Sequence, residues 1–180
     1  MTSRRATAVH EAGHAVIGRV VTLPCGGASI RPDDGLECEG HAVIGSADVT
    51  MPQWEMREKF RDYASAVRAR IITAQAGHEA EVEILGVATG LDDDDRDVAA
   101  ACVEDLNVPV ERENAVLDRL RRAARQLAHR HRADIERVAN ALEEREVLTE
   151  EEIDALLPLG FMARPVTWAL AHADVGPASV

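Results

Sequence analysis

Near the start of the chain, within ATAVHEAGHAVIGRVV (residues 6–21), two histidines stand four positions apart and a glutamate directly follows the first. Residues four apart on a helix lie one above the other on the same face, so His10 and His14 can aim two imidazole nitrogens at one ion. Glu11 is turned too far round the helix to ligate. It can still reach a water in the ion's open coordination position. Zinc lowers the pKa of such a water, and a carboxylate takes its proton as it attacks a carbonyl; this is the arrangement a zinc hydrolase requires. Gly13, with no side chain close to the metal, lets a neighbouring element or a substrate strand approach.

Zinc needs a third protein ligand. His129 and His131, two apart in AHRHR, face different ways and read as a solvated face. His41 falls on an expected strand and His78 at a helix junction. The conspicuous carboxylates are Glu79, Glu81 and Glu83, and the block Asp92–Asp95 with Asp97. Acidic residues at a helix N-terminus are stabilised by the dipole and by free backbone amides, so one or two of the block act as caps. Four in a row exceed what capping needs, and a nearby cation would offset their mutual repulsion.

The elements that must position these residues are mostly helical. Val9, Gly13, Val16, Ile17 and Val20 recur at helical spacing, which predicts an amphipathic helix ending before LPCGG. ASIRPDDGLECEGHAVI predicts two short strands, near Ser29–Arg31 and Gly40–Ile44, with a turn at Asp33, Asp34 and Gly35 and an edge position marked by Pro32. Pro52 is expected to start the next helix, which buries Trp54, Phe60, Val67, Ile71 and Ile72 and runs towards Gly77. A shorter helix over HEAEVEILG follows, then a glycine-containing loop, the aspartates and an alanine-rich helix. Helical spacing continues from Val110 to about Arg145, with a possible break near His129–Ala133. Thr149 and Glu152 are placed to form a capping box before the last helix. The expected fold class is mainly α (α+β): one domain over residues 1–157 with a single small β-hairpin, then an irregular tail over 158–180.

A chain of 180 residues, 46% hydrophobic, can bury one sizeable core. Only 3% of it is aromatic, so that core is built from Ala, Val, Leu and Ile, which favours helices. The 32 acidic residues outnumber the 20 basic ones for a net charge of −12, which argues against nucleic acid and anionic membrane surfaces as partners. No apolar run approaches the roughly 20 residues that cross a bilayer, and His10 and Glu11 interrupt any signal core. A soluble, cytoplasmic protein is expected. Cys25, Cys38 and Cys102 are odd in number and irregular in spacing, so reduced thiols are expected.

Several segments resemble, in order, the peptidase domain of the FtsH-type (AAA+) zinc proteases. HEAGHAVIG comes first, then the strand segment ASIRP. ITAQAGHEAEVEILG is similar to the family's stretch around an AGRxAE-like motif, and ATGLDDDD to its TGxxxD loop. ANALEEREVLTEEEIDALL is like its closing pair of helices. The likeness covers about Thr7 to Leu157. It implies a helical, zincin-like fold and a third zinc ligand that is an aspartate opening the helix after the TG loop. Counting from Gly90 gives Asp94; counting from Glu81, the counterpart of the family's helix glutamate, gives Asp95. Residues 4, 7, 8 and 11 beyond Asp95 are Ala99, Cys102, Val103 and Leu106, all apolar, whereas Asp94 would put Asp105 on that face. Asp95 is favoured, with Asp94 the alternative. Glu81 then supports the site without ligating. Two departures stand out: His78 replaces the family's arginine, and no GxxxxGKS/T motif is present, so unfoldase activity is not carried over.

The expected function is therefore a stand-alone zinc metallopeptidase with Zn²⁺ on His10, His14 and Asp95 and Glu11 as general base. It would act on unfolded polypeptides or peptides, supplied free or by a separate ATPase or other delivery partner, with a homo-oligomer plausible. The alternatives are a zinc-binding interaction or regulatory module of the same fold, and a small protease that cuts one regulatory protein.

Overall fold

The computed structural model describes residues 3–31, 40–56, 62–90 and 93–158. Its first helix, α1 (Arg4–Val20), is the axis of the molecule. Ser3 caps it, accepting from the Ala6 amide at 3.1 Å. Every residue from Ala6 to Arg19 is buried, so the helix that the apolar spacing predicts is enclosed on all sides, its polar face included. The small residues of TAVHEAGHAVIG permit this. Val9, Val16 and Ile17, each wholly buried, contribute about 1.5–3 kcal/mol apiece. Polar residues inside such a helix need partners, and Arg19 shows how one is satisfied. It is 1% exposed, donates to Asp154 at 2.6 Å and reaches three backbone carbonyls, those of Ala15, Gly26 and Glu150.

Strands β1 (Cys25–Ser29), β2 (His41–Ile44) and β3 (Val147–Leu148) form an antiparallel sheet in the order β2-β1-β3. Two expectations are corrected here. The first strand begins at Cys25, through the glycine pair, rather than at Ser29. It is also the central strand, not an edge, because β3 pairs with its other side. Among the described residues, the edge strand beside α1 is β2. The expected turn at Asp33, Asp34 and Gly35, with Pro32, lies outside the described residues.

The single helix expected from Pro52 towards Gly77 is two, α2 (Ala47–Met56) and α3 (Tyr63–Ala74), and the shorter helix expected over HEAEVEILG is present as α4 (Ala76–Leu85). Helix α2 contains Pro52 in its interior, and its start is set by Ser46, whose Oγ accepts from Val49 N at 3.4 Å. Helix α3 is capped by Asp62, and α4 follows directly and ends at the left-handed Gly86. Trp54 is buried and donates to the Thr22 carbonyl at 3.0 Å, while Phe60 lies outside the described residues. The remaining helices are α5 (Asp93–Glu104), α6 (Val110–Arg130), α7 (Arg132–Arg145) and α8 (Glu150–Leu156). His131 breaks α6 from α7, within the expected window. Thr149 and Glu152 make the expected capping box. Residues 159–180, most of the expected tail, lie outside the described residues. Among the described residues, no helix is long and apolar enough to cross a membrane.

Two principal apolar clusters result. The first joins α1, β1, α4, α7 and α8 around Val9, Val16, Ile17, Ile135 and Leu142. The second joins α2, α3, α5 and α6 around Trp54, Val67, Ile71, Ala99, Val103 and Leu120. The two histidines of α1 belong with the first cluster and Asp95 of α5 with the second, so the seam between the clusters is where they meet. A buried carboxylate fastens α4 to α6 beside that seam: Glu79, 0% exposed, accepts from Arg121 and Arg125, each at 2.6 Å.

Candidate metal centre

His10 and His14 sit one turn apart on α1 with ring centroids 4.7 Å apart and planes at 74°. Each ring has one nitrogen committed away from the seam. His14 Nδ1 lies 2.7 Å from the Thr73 carbonyl at the end of α3. A carbonyl only accepts, so the proton is on Nδ1. His10 Nδ1 lies 2.7 Å from Glu81 Oε1 on α4. The other Glu81 oxygen accepts from the Thr89 hydroxyl at 2.7 Å and from the Thr89 amide. Burial opposes ionisation of Glu81, but the bonds from His10 and Thr89 hold it below the usual carboxylate range. It is therefore an anion, and His10 Nδ1 donates to it.

Both Nε2 atoms then carry lone pairs in the neutral rings, and both point at one carboxylate oxygen. Asp95 Oδ2 lies 2.9 Å from His10 Nε2 and 3.0 Å from His14 Nε2. Three acceptors facing one another require a positive charge between them. Burial opposes charging His10, yet the bonds to Asp95 and Glu81 outweigh it and carry its pKa up to about 10. Burial also opposes ionisation of Asp95, and the charge of His14 and the bonds from both rings drive it far below its ordinary value. His10, His14 and Asp95 form a group that could hold a metal ion, with one ligand atom from each within 4.8 Å of the others.

The space for such an ion is set by Gly77 on α4. A Cβ at that position would fall 2.6 Å from each Nε2 atom, in the volume the ring nitrogens share. Gly13 has the neighbouring role. Its missing side chain lets α1 and α4 close up, since a Cβ there would stand 2.7 Å from the Ala76 carbonyl oxygen. What comes close at Gly13 is α4.

Glu11 is buried, 6% exposed, and makes no hydrogen bond among the described residues. Burial raises its pKa, against the lowering charges of His14 and His10. Gly40, just before β2, packs so close that a Cβ there would be 3.2 Å from Glu11 Cγ. The start of the edge strand thus lies against this carboxylate.

The other candidates fall elsewhere. Asp94 is exposed, one residue round α5 from Asp95, and Asp93 pairs with Arg96 at 3.2 Å; Asp92 lies outside the described residues. His41 is exposed on β2, His78 contacts Arg121, and His129 and His131 pair with Glu83 and Asp134. An open cavity of about 410 Å³ borders Asp95, walled by Gln75, His78, Ala99, Leu117 and Arg121. Cys25 and Cys102 are free thiols; Cys38 lies outside the described residues. Sequence reasoning missed the roles of Thr73, Gly77 and Thr89. Of these, only Thr89 had a signal, as the hydroxyl residue of the TG pair before the aspartates. Compared with protein-family models and with curated proteins, the chain matches none.

Proposed function

We propose that the chain is a zinc-dependent metallopeptidase that hydrolyses peptide bonds of unfolded polypeptides or peptides, on the fold of an FtsH-type peptidase domain. The observation that carries this reading is the convergence of two imidazole Nε2 atoms and Asp95 Oδ2 with both Nδ1 atoms already engaged. Two imidazoles and one carboxylate suit zinc, with a fourth position left for water or substrate. The volume kept clear by Gly77 fits an ion bound through the Nε2 atoms. Zinc held there would polarise a carbonyl and acidify a water.

The chain's own residues do the rest. His10, His14 and Asp95 would hold the ion. Glu81 and Thr73 fix the ring tautomers and orientations. Glu11 takes a proton at its carboxylate and returns it to the leaving nitrogen, a task suited to a carboxylate whose proton affinity burial raises. The outer edge of β2 can receive a substrate segment as an added strand, beginning beside Glu11. A separate ATPase or another delivery partner would supply folded proteins in unfolded form.

Purified protein loaded with zinc should cleave casein, and Glu11→Gln should keep zinc while losing about 10²–10⁴ of the rate. Zinc retention with no cleavage of any unstructured substrate by the wild type would favour the interaction module. Cleavage confined to one partner would favour a dedicated regulatory protease.

A further inference from the structure

The peptidase reading leaves one partly buried cation without a task. Arg70 lies on α3, one turn before Thr73, whose carbonyl holds His14. Its side chain is partly buried, and among the described residues it makes no hydrogen bond and no ion pair. The other described arginines withdrawn from solvent are all matched with a carboxylate. Arg5 pairs with Glu143 at 2.7 Å, Arg19 with Asp154 at 2.6 Å, and Arg121 with Glu79 at 2.6 Å. Desolvating a guanidinium without a counter-charge is unfavourable. Among the described residues, only the charge of Asp95, beyond ion-pair distance, offsets part of that cost at Arg70.

Its position relates it to the site. Cys102 and Asp95 of α5 and Cys25 of β1 are the titratable groups near it, and of these Asp95 is the anion, since burial pushes both thiols up. The preceding residue, Ala69, packs against Cys25, and Cys25 is the cross-strand partner of Ile44. Arg70 therefore stands where α3 and α5 meet the Cys25–Ile44 end of the sheet. The edge strand connects that end to the catalytic carboxylate. Gly40 packs on Glu11 at one end, and Ile44 packs beside Gly18 at the other. A peptide added along β2 past Glu11 runs towards Arg70, at about 3.3 Å per residue.

We infer that Arg70 binds a carboxylate of the substrate, so that the site favours chains carrying one within about four residues of the cleaved bond. The carboxylate is either the C-terminal one of a peptide or an Asp or Glu side chain. This inference rests on the peptidase reading and names the substrate class of the same site.

The test reads binding without turnover, using the zinc-loaded Glu11→Gln protein and three fluorescein-labelled peptides of one unstructured sequence. One ends in a free carboxylate, one in a carboxamide, and one in a carboxamide with a single internal glutamate. By anisotropy, at least one carboxylate peptide should bind about tenfold or more tighter than the plain carboxamide, and which one gains identifies the source. Adding Arg70→Gln should erase the difference and Arg70→Lys should keep part of it. Arg70→Gln should also melt no lower than its parent, because an uncompensated charge has been removed. Equal affinities for the three peptides, no binding of any, or a preference that survives Arg70→Gln would overturn the inference. So would a lower melting temperature with equal loss on all three peptides, which marks a structural arginine. If the wild type cleaves nothing while the carboxylate preference persists, the peptidase reading fails and the Arg70 assignment stands.

Discussion

A neutral imidazole has one N–H and one lone pair, and His10 and His14 both direct the N–H outward, to Glu81 and to the Thr73 carbonyl. This fixes which nitrogens face Asp95. Glu81→Ala should therefore weaken zinc binding about 10–100-fold without removing a ligand, as measured by competition with a chelator. Gly77→Ala should lower zinc occupancy while the helices persist by circular dichroism, because its methyl would occupy the space between the Nε2 atoms. That His10 and His14 face one point was legible from spacing alone. The preference for Asp95 over Asp94 needed the family likeness and the helix face. Ala99 and Val103 on that face are buried, with Cys102 and Leu106 packed beside them. Thr73 was not legible, because a backbone carbonyl leaves no mark on residue type.

At the scale of elements, α1 holds the histidines only because α4 can lie directly against it. Gly13→Ala places a methyl 2.7 Å from a backbone oxygen and 2.8 Å from Ala80 Cβ. Neither atom can swing aside. The substitution should cost about 1–3 kcal/mol in urea unfolding. Most helices could be read from periodicity and caps, since Thr149, Gly86 and the break at His131 act through local chemistry. The sheet was harder. Strand β3 has two residues, too few for any pattern, and it exists through its ladder to β1 more than a hundred positions earlier. Pro52 drew the start of α2 to the wrong place, where Ser46 and Asp48 already supply a cap and an acidic first turn.

Across the whole molecule, the centre exists where two apolar clusters meet, so whatever joins the clusters holds the ligand set together. Glu79 is one such tie, reaching from α4 to Arg121 and Arg125 on α6. Burial opposes its ionisation, but the two arginines lower its pKa below the ordinary 4.5. Its contribution to stability is present above that value and is lost as pH falls through the lowered one. Glu79→Gln should be less stable than wild type near pH 7 by about 1–3 kcal/mol, with the gap narrowing near pH 3 in thermal melts. The central claim, that His10, His14 and Asp95 share one zinc ion, is tested most directly by metal analysis of wild type beside His14→Ala, Asp94→Ala and Asp95→Ala after zinc saturation and gel filtration. About one zinc per chain is predicted for wild type and Asp94→Ala, and almost none for the other two. A wild type that retains no zinc, or an Asp95→Ala protein that keeps it while Asp94→Ala loses it, would contradict the account.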